Sequence, residues 1–173
     1  SWADYTAFLK KDGTVEHGAL FNKDDASALA ADGITVTFHI IFPFLNPHGS
    51  LVDEHEVDLL QDDGVTTVKT KVNEAKLLLE LFNNQGLIKS WKGGLWINKT
   101  KFQIVMFDKD TDTAYLKKEG GGACAVRTNK VIVFGTWNGG INFTKDGKTV
   151  PQNPGDCNKA VEALAKMLKD AGY

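Results

Sequence analysis

Apolar residues recur along this chain with two different periods, and the points where the period changes mark its elements. Trp2, Tyr5, Phe8 and Leu9 stand three and four apart, which predicts a short amphipathic helix over 2–10, with Ser1 as its cap and Lys11-Asp12-Gly13 as its end. The period then falls to two. A strand is expected over 15–21, a turn at Asn22-Lys23-Asp24-Asp25 and a second strand over 27–31, forming a meander at one sheet edge. Helical spacing returns after Asn73, where Leu78, Leu81 and Phe82 give an inner face to a helix over 74–83. Five strands follow over 95–97, 101–107, 114–118, 123–128 and 131–137. They are separated by turn signals at Asn98-Lys99, Asp108-Lys109-Asp110, Gly120-Gly121-Gly122 and Asn129-Lys130. Residues 138–152 read as a loop. Asn153 caps a last helix, Pro154 suits its first turn, and Cys157, Val161, Leu164, Ala165 and Leu168 form its buried stripe.

Residues 33–63 interrupt this regularity. Ile34 to Ile41 alternate like a strand and run into Phe42-Pro43-Phe44-Leu45-Asn46-Pro47-His48-Gly49, a loop because neither proline has an N–H to donate. An acidic stretch, 53–58, and a strand over 64–72 complete the excursion. Its apolar residues suit an extra β-hairpin packed on the sheet edge. Terminal segments fray unless tied down, and two apolar-faced helices at opposite ends can hold each other. The class is therefore α+β: a central antiparallel sheet, N- and C-terminal helices packed together on one face, and an inserted hairpin or loop.

Composition narrows the functions. A chain of 173 residues suits one domain, 1–173, and 42% hydrophobic with 24% charged residues is ordinary globular usage. A net charge of −2 gives no global attraction for nucleic acid, which is not an expected partner. No apolar run is long enough to span a bilayer, and no secretory signal is visible. Cys124 and Cys157 lie outside any CxxC pairing and read as small buried hydrophobes with no need of a disulfide. A cytoplasmic monomer is expected.

Signals for catalysis are weak. His17, His39, His48 and His55 do not recur at metal-ligand spacing and read as solvated. There is no GxSxG, and the glycine run lacks the Lys-Ser/Thr of a phosphate loop. The stretch Asp53 to Asp58 lacks the ligand spacing of a calcium loop and reads as a solvated acidic turn. No catalytic residue, metal or cofactor is expected. Cations are more suggestive. Lys99, Lys101, Lys117, Lys118, Arg127 and Lys130 fall in the later strands and turns, Lys159 begins the last helix, and Ile104 and Met106 lie between them. Such a surface suits a protein partner carrying acidic groups, and equally an ordinary charged sheet face. Trp2, Tyr5 and Tyr173 suit a polyproline-II ligand, though Trp2 could equally be packed in the core.

Ser1-Trp2-x-x-Tyr5, the run Tyr115-Leu116-Lys117-Lys118 to Val133, and the close Asn153-Pro154-Gly155-Asp156-Cys157-Asn158-Lys159 to Gly172-Tyr173 resemble profilins, protist and especially ciliate ones. The resemblance covers about 1–31 and 64–173 and leaves the excursion outside. It implies a cytosolic, non-enzymatic binder of monomeric actin that regulates polymerisation and holds proline-rich segments of actin regulators. Many members also bind phosphoinositides. The family's actin face falls on Lys101, Ile104, Met106, Lys117, Lys118, Gly155, Asn158, Lys159 and Glu162. Its proline site falls on Trp2, Tyr5, Met167 and Tyr173. Met167 stands where members usually carry His or Tyr, and Leu29 where many carry Trp, so weakened or altered proline-rich binding is expected. From another class, an α+β small-molecule sensor or trafficking module shares the layout.

Overall fold

The computed structural model describes residues 1–34, 37–38, 49–50, 55–88 and 94–173. In chain order these form α1 (Trp2–Lys10), β1 (Gly18–Asn22), β2 (Ser27–Asp32), β3 (Thr37–Phe38), β4 (Gly49–Ser50), β5 (His55–Leu60), β6 (Thr67–Val72) and α2 (Glu74–Asn83). There follow β7 (Leu95–Ile97), β8 (Thr100–Asp108), β9 (Thr113–Lys118), β10 (Gly121–Arg127), β11 (Val131–Asn138), β12 (Asn142–Lys145), β13 (Lys148–Pro151) and α3 (Pro154–Asp170). The main sheet has the order β3-β4-β2-β1-β11-β10-β9-β8-β7, and its pairings are antiparallel.

Strand alternation divides the core in two, because successive side chains take opposite faces. Cys124, Val126, Val131 and Val133 pack under α1 and α3 with Leu9, Val161, Leu164 and Leu168. Ala123, Ala125, Ile132 and Phe134 pack on the other face with Leu78, Leu81 and Phe82 of α2. β10 and most of β11 are accordingly buried on both sides. The terminal helices do lie together: α3 rests on β10 and β11, and α1 on β1, β2 and α3. Asn153 caps α3 by accepting the Asp156 N–H at 3.0 Å, as Asn73 caps α2 by accepting from Lys76 at 3.0 Å. Cys124 and Cys157 are buried free thiols, and burial pushes the Cys157 thiol up to about 12.

Several expectations change. Residues 142–151 form a hairpin where a loop was expected, turning at Asp146-Gly147, both with positive φ (50° and 75°). Gln152 clamps its root: Oε1 accepts from the Asn138 N–H at 3.0 Å and Nε2 donates to the Gly13 carbonyl at 2.8 Å. Of the expected glycine turn only Gly120 lies between strands, after Glu119, for Gly121 and Gly122 belong to β10. A Cβ at Gly122 would sit 2.4 Å from the Leu116 carbonyl oxygen and 2.7 Å from the Trp137 indole nitrogen, so the close approach of both demands glycine. In the excursion, β4 pairs with β2 and β3 with β4, adding to the sheet edge, while 35–36, 39–48 and 51–54, with His39 and His48, lie outside the described residues.

The expected acidic turn is instead partly strand β5, paired with β6. His55, read as solvated, is largely buried, and its Nε2 lies 2.8 Å from Glu74 Oε2. Glu74 is fully buried. Its carboxylate also accepts the backbone N–H of Asn98 at 2.7 Å and of Lys99 at 2.8 Å. A buried carboxylate needs such partners, and this one joins three segments far apart in sequence.

Candidate functional site

The residues expected to face a protein partner come from β8, β9 and one stripe of α3. Tyr115 and Leu116 set the orientation: the Tyr115 hydroxyl donates to Glu162 of α3 at 2.6 Å, whereas Leu116 is buried in the α2-side core. Lys117 therefore shares the helix-bearing face with Tyr115, and Lys118 takes the opposite one. The Lys118 ammonium lies 5.8 Å from the centroid of Phe102, itself in the α2-side core. Likewise Lys101 and Gln103 alternate with buried Phe102 and join Lys117, because Gln103 stands opposite Lys117 in register. A bulge between Ile104 and Met106 resets the alternation. Ile104 packs against the α2-side core, while Met106, opposite Tyr115, is 55% exposed, and bulged Val105 is 60% exposed.

Seven of the nine residues thus share the helix-bearing face. Lys101, Met106 and Lys117 lie on the sheet, and Gly155, Asn158, Lys159 and Glu162 fall three or four apart on α3. Ile104 and Lys118 are directed to the other face. Lys101, Gln103, Lys117, Lys118 and Glu119 line a shallow hollow of about 340 Å³. Three neighbours escaped the sequence reading: Val105, raised by the bulge; Tyr115, the bridge to α3; and Trp137, opposite Gly122 and half-buried beside it. Alternation from Leu116 was the signal available for Tyr115.

The aromatic site forms where α1 begins and α3 ends. Trp2 meets Tyr5 at 5.6 Å between centroids and Tyr173 at 5.4 Å, nearly edge-on. Leu29, like these rings, packs at the margin of the core under α1 and α3. The Asn129 N–H donates to the Tyr173 carbonyl at 3.3 Å, and the Lys130 ammonium lies 5.2 Å from the Tyr173 ring centroid. All three rings are half-buried, so Trp2 is both core and surface. Met167 is 38% exposed on α3.

Among the described residues, no group of three or more His, Cys, Asp or Glu is arranged to hold a metal ion, and no helix is long and apolar enough to cross a membrane. A cation-bearing surface and a half-buried aromatic cluster thus share one antiparallel platform on which the two terminal helices are paired. The sequence model of the profilin family matches residues 1–173, through the 33–63 excursion as well. The profilin of Tetrahymena pyriformis is 34% identical over 174 residues, covering 99% of this chain and 98% of that protein. This chain belongs to the profilin family. Acanthamoeba castellanii profilin IB shares its fold with a TM-score of 0.64 at 23% identity, over the full length of both chains. Mouse profilin IIa, in complex with a double repeat from the FH1 domain of mDia1, matches with a TM-score of 0.54 at 20% identity, covering 100% of this chain and 99% of that one.

Proposed function

We propose that this chain is an actin-monomer-binding profilin that regulates polymerisation through the β8–β9–α3 face. One observation carries the reading: with α1 and α3 paired, their flank towards β9 stays open and gathers Lys101, Lys117, Lys159 and exposed Met106 on one side of the sheet. Cations around an apolar centre suit a partner with an acidic rim. Docked there, the protein would cover the end of the actin monomer that joins a filament's barbed end, block pointed-end addition and leave barbed-end delivery open. A pull-down with monomeric actin tests this. Lys159→Glu is expected to weaken the complex about tenfold, ~1.4 kcal/mol, and no complex at tens of micromolar wild-type protein overturns the reading.

Trp2, Tyr5 and Tyr173, together with Met167 of α3, form the proposed site for proline-rich segments of actin regulators. The FH1-bound mouse relative supports that class of ligand. With Met167 and Leu29 in place of flat rings, binding is weak. Titration with a proline decamer is expected to change tryptophan fluorescence, and no change at millimolar peptide removes this site. The hollow at Lys101 and Lys117 suits a phosphoinositide headgroup. In this reading 1–173 acts as one monomeric domain, a cytoplasmic binder and not an enzyme.

A further inference from the structure

The helix-bearing face also holds a groove that the lysines do not explain. It runs between the β8–β9 end of the sheet and the C-terminal half of α3, with a volume of about 480 Å³. Buried Val126 and Ala165 lie at its floor, the half-buried Tyr115 ring lines it, and Glu162 and Asp108 give it carboxylates. The Tyr115 hydroxyl donates to Glu162 Oε1 at 2.6 Å. Burial, and then the Glu162 carboxylate, push the phenol well above its ordinary range, so it remains a donor at neutral pH. Glu162 Oε2 has no hydrogen-bond or ion-pair partner among the described residues. The groove's two ammonium groups are already engaged: Lys166 binds Asp170 at 2.6 Å and Lys169 reaches the Thr111 carbonyl at 3.4 Å. Three carboxylates, Asp108, Glu162 and Asp170, therefore face two occupied cations, the reverse of the Lys101–Lys117 hollow on the same face.

We propose that this groove is a specificity slot for one long cationic side chain, arginine or lysine, of the protein partner held over β8, β9 and α3, with Glu162 as acceptor and Tyr115 as its positioning residue. The partner's identity rests on the actin reading above. The apolar walls suit the methylene stem of such a side chain. The unpaired oxygen of half-buried Glu162 offers a charge-assisted hydrogen bond to its head, stronger than a neutral one. Because Tyr115 holds Oε1, the carboxylate is oriented before the partner arrives, which lowers the ordering cost of binding. An anionic occupant would meet Glu162 and Asp108 and is disfavoured. The partner must then present acidic groups to Lys101 and Lys117 and a basic group to Glu162, and this two-sign requirement fixes its orientation.

Two measurements test the slot. Affinity for monomeric actin is compared among wild type, Glu162→Gln and Tyr115→Phe, with thermal midpoint and proline-decamer binding followed in parallel. Methyl resonances of Val126 and Ala165 are followed on titration with N-acetyl-arginine methylamide and with its norleucine analogue. Glu162→Gln is expected to weaken actin binding about tenfold and flatten its salt dependence. Tyr115→Phe is expected to weaken it about threefold through faster dissociation, with proline-decamer binding unchanged. The arginine amide, and not the norleucine amide, is expected to shift both methyls in wild type and neither in Glu162→Gln. Actin binding by Glu162→Gln as tight as wild type, or tighter, overturns the slot. An unchanged Tyr115→Phe removes the positioning role. If wild type binds no actin, the reading of the preceding subsection falls, and the arginine titration alone decides the slot, with unmoved methyls removing it.

Discussion

The two faces of the sheet solve different problems with the same strands. Under α1 and α3 the core is built from small and medium residues, Cys124, Val126, Val133 and Cys157, which let the helices sit close and keep their outer flanks open. Under α2 the core is aromatic, with Phe102 edge-on to Phe134 at 6.1 Å and Phe82 to Phe107 at 5.9 Å. At its margin lies the buried Glu74 hub. The proposed binding groups collect mostly on the first face, and the second carries a fully buried carboxylate. Stability and recognition should therefore separate under mutation.

The largest effect is expected at the hub. Glu74→Ala leaves His55 and the amides of Asn98 and Lys99 without their acceptor, and should cost about 3–5 kcal/mol in urea unfolding. The folded fraction should bind proline decamer as wild type does; loss of that binding would break the separation. Next comes Gly122→Ala, on the helix-bearing face. Its methyl meets backbone oxygen at 2.4 Å, so overpacking of about 1–3 kcal/mol is expected. Altered Trp137 fluorescence should accompany it, and unchanged emission would show that the indole does not depend on the glycine. The smallest effect concerns pH. Lys145, with Asn153, holds the Asp156 carboxyl below the usual carboxylate range. A depressed folded-state pKa stabilises above the unfolded value, about 3.9, and that contribution is lost as pH falls through the folded one. The unfolding midpoints of wild type and Asp156→Asn should converge below about pH 4; a constant gap would rule out this source.

Much of the helix-bearing face was legible because its signals are local. Asn153-Pro154 set the start of α3, spacing set its buried stripe, and the terminal aromatics pointed to each other. Strand alternation also implied that Lys117 and Lys118 must part, a consequence the residue-by-residue resemblance passed over. The bulge at Val105 carried no comparable signal, since one extra residue in a strand shows only against its partner. On the other face, Glu74 is a first-turn acid of α2, a position acids commonly take at a helix start. Its partners lie 19 to 25 residues away, and no local pattern reports a contact of that range. The 142–151 hairpin was hidden differently: Asp146-Gly147 is a strong turn signal, but the flanking residues are largely exposed and show no apolar face.

That hairpin offers a practical handle. Its base is held by buried Gln152 and by Lys145 on Asp156 at 2.7 Å, whereas the Asp146-Gly147 tip is exposed and a Cβ at Gly147 would touch nothing within 4 Å. A clamped base beneath a free apex is where a chain accommodates foreign residues, so an epitope or fluorophore acceptor peptide spliced between 146 and 147 should leave both recognition surfaces in register.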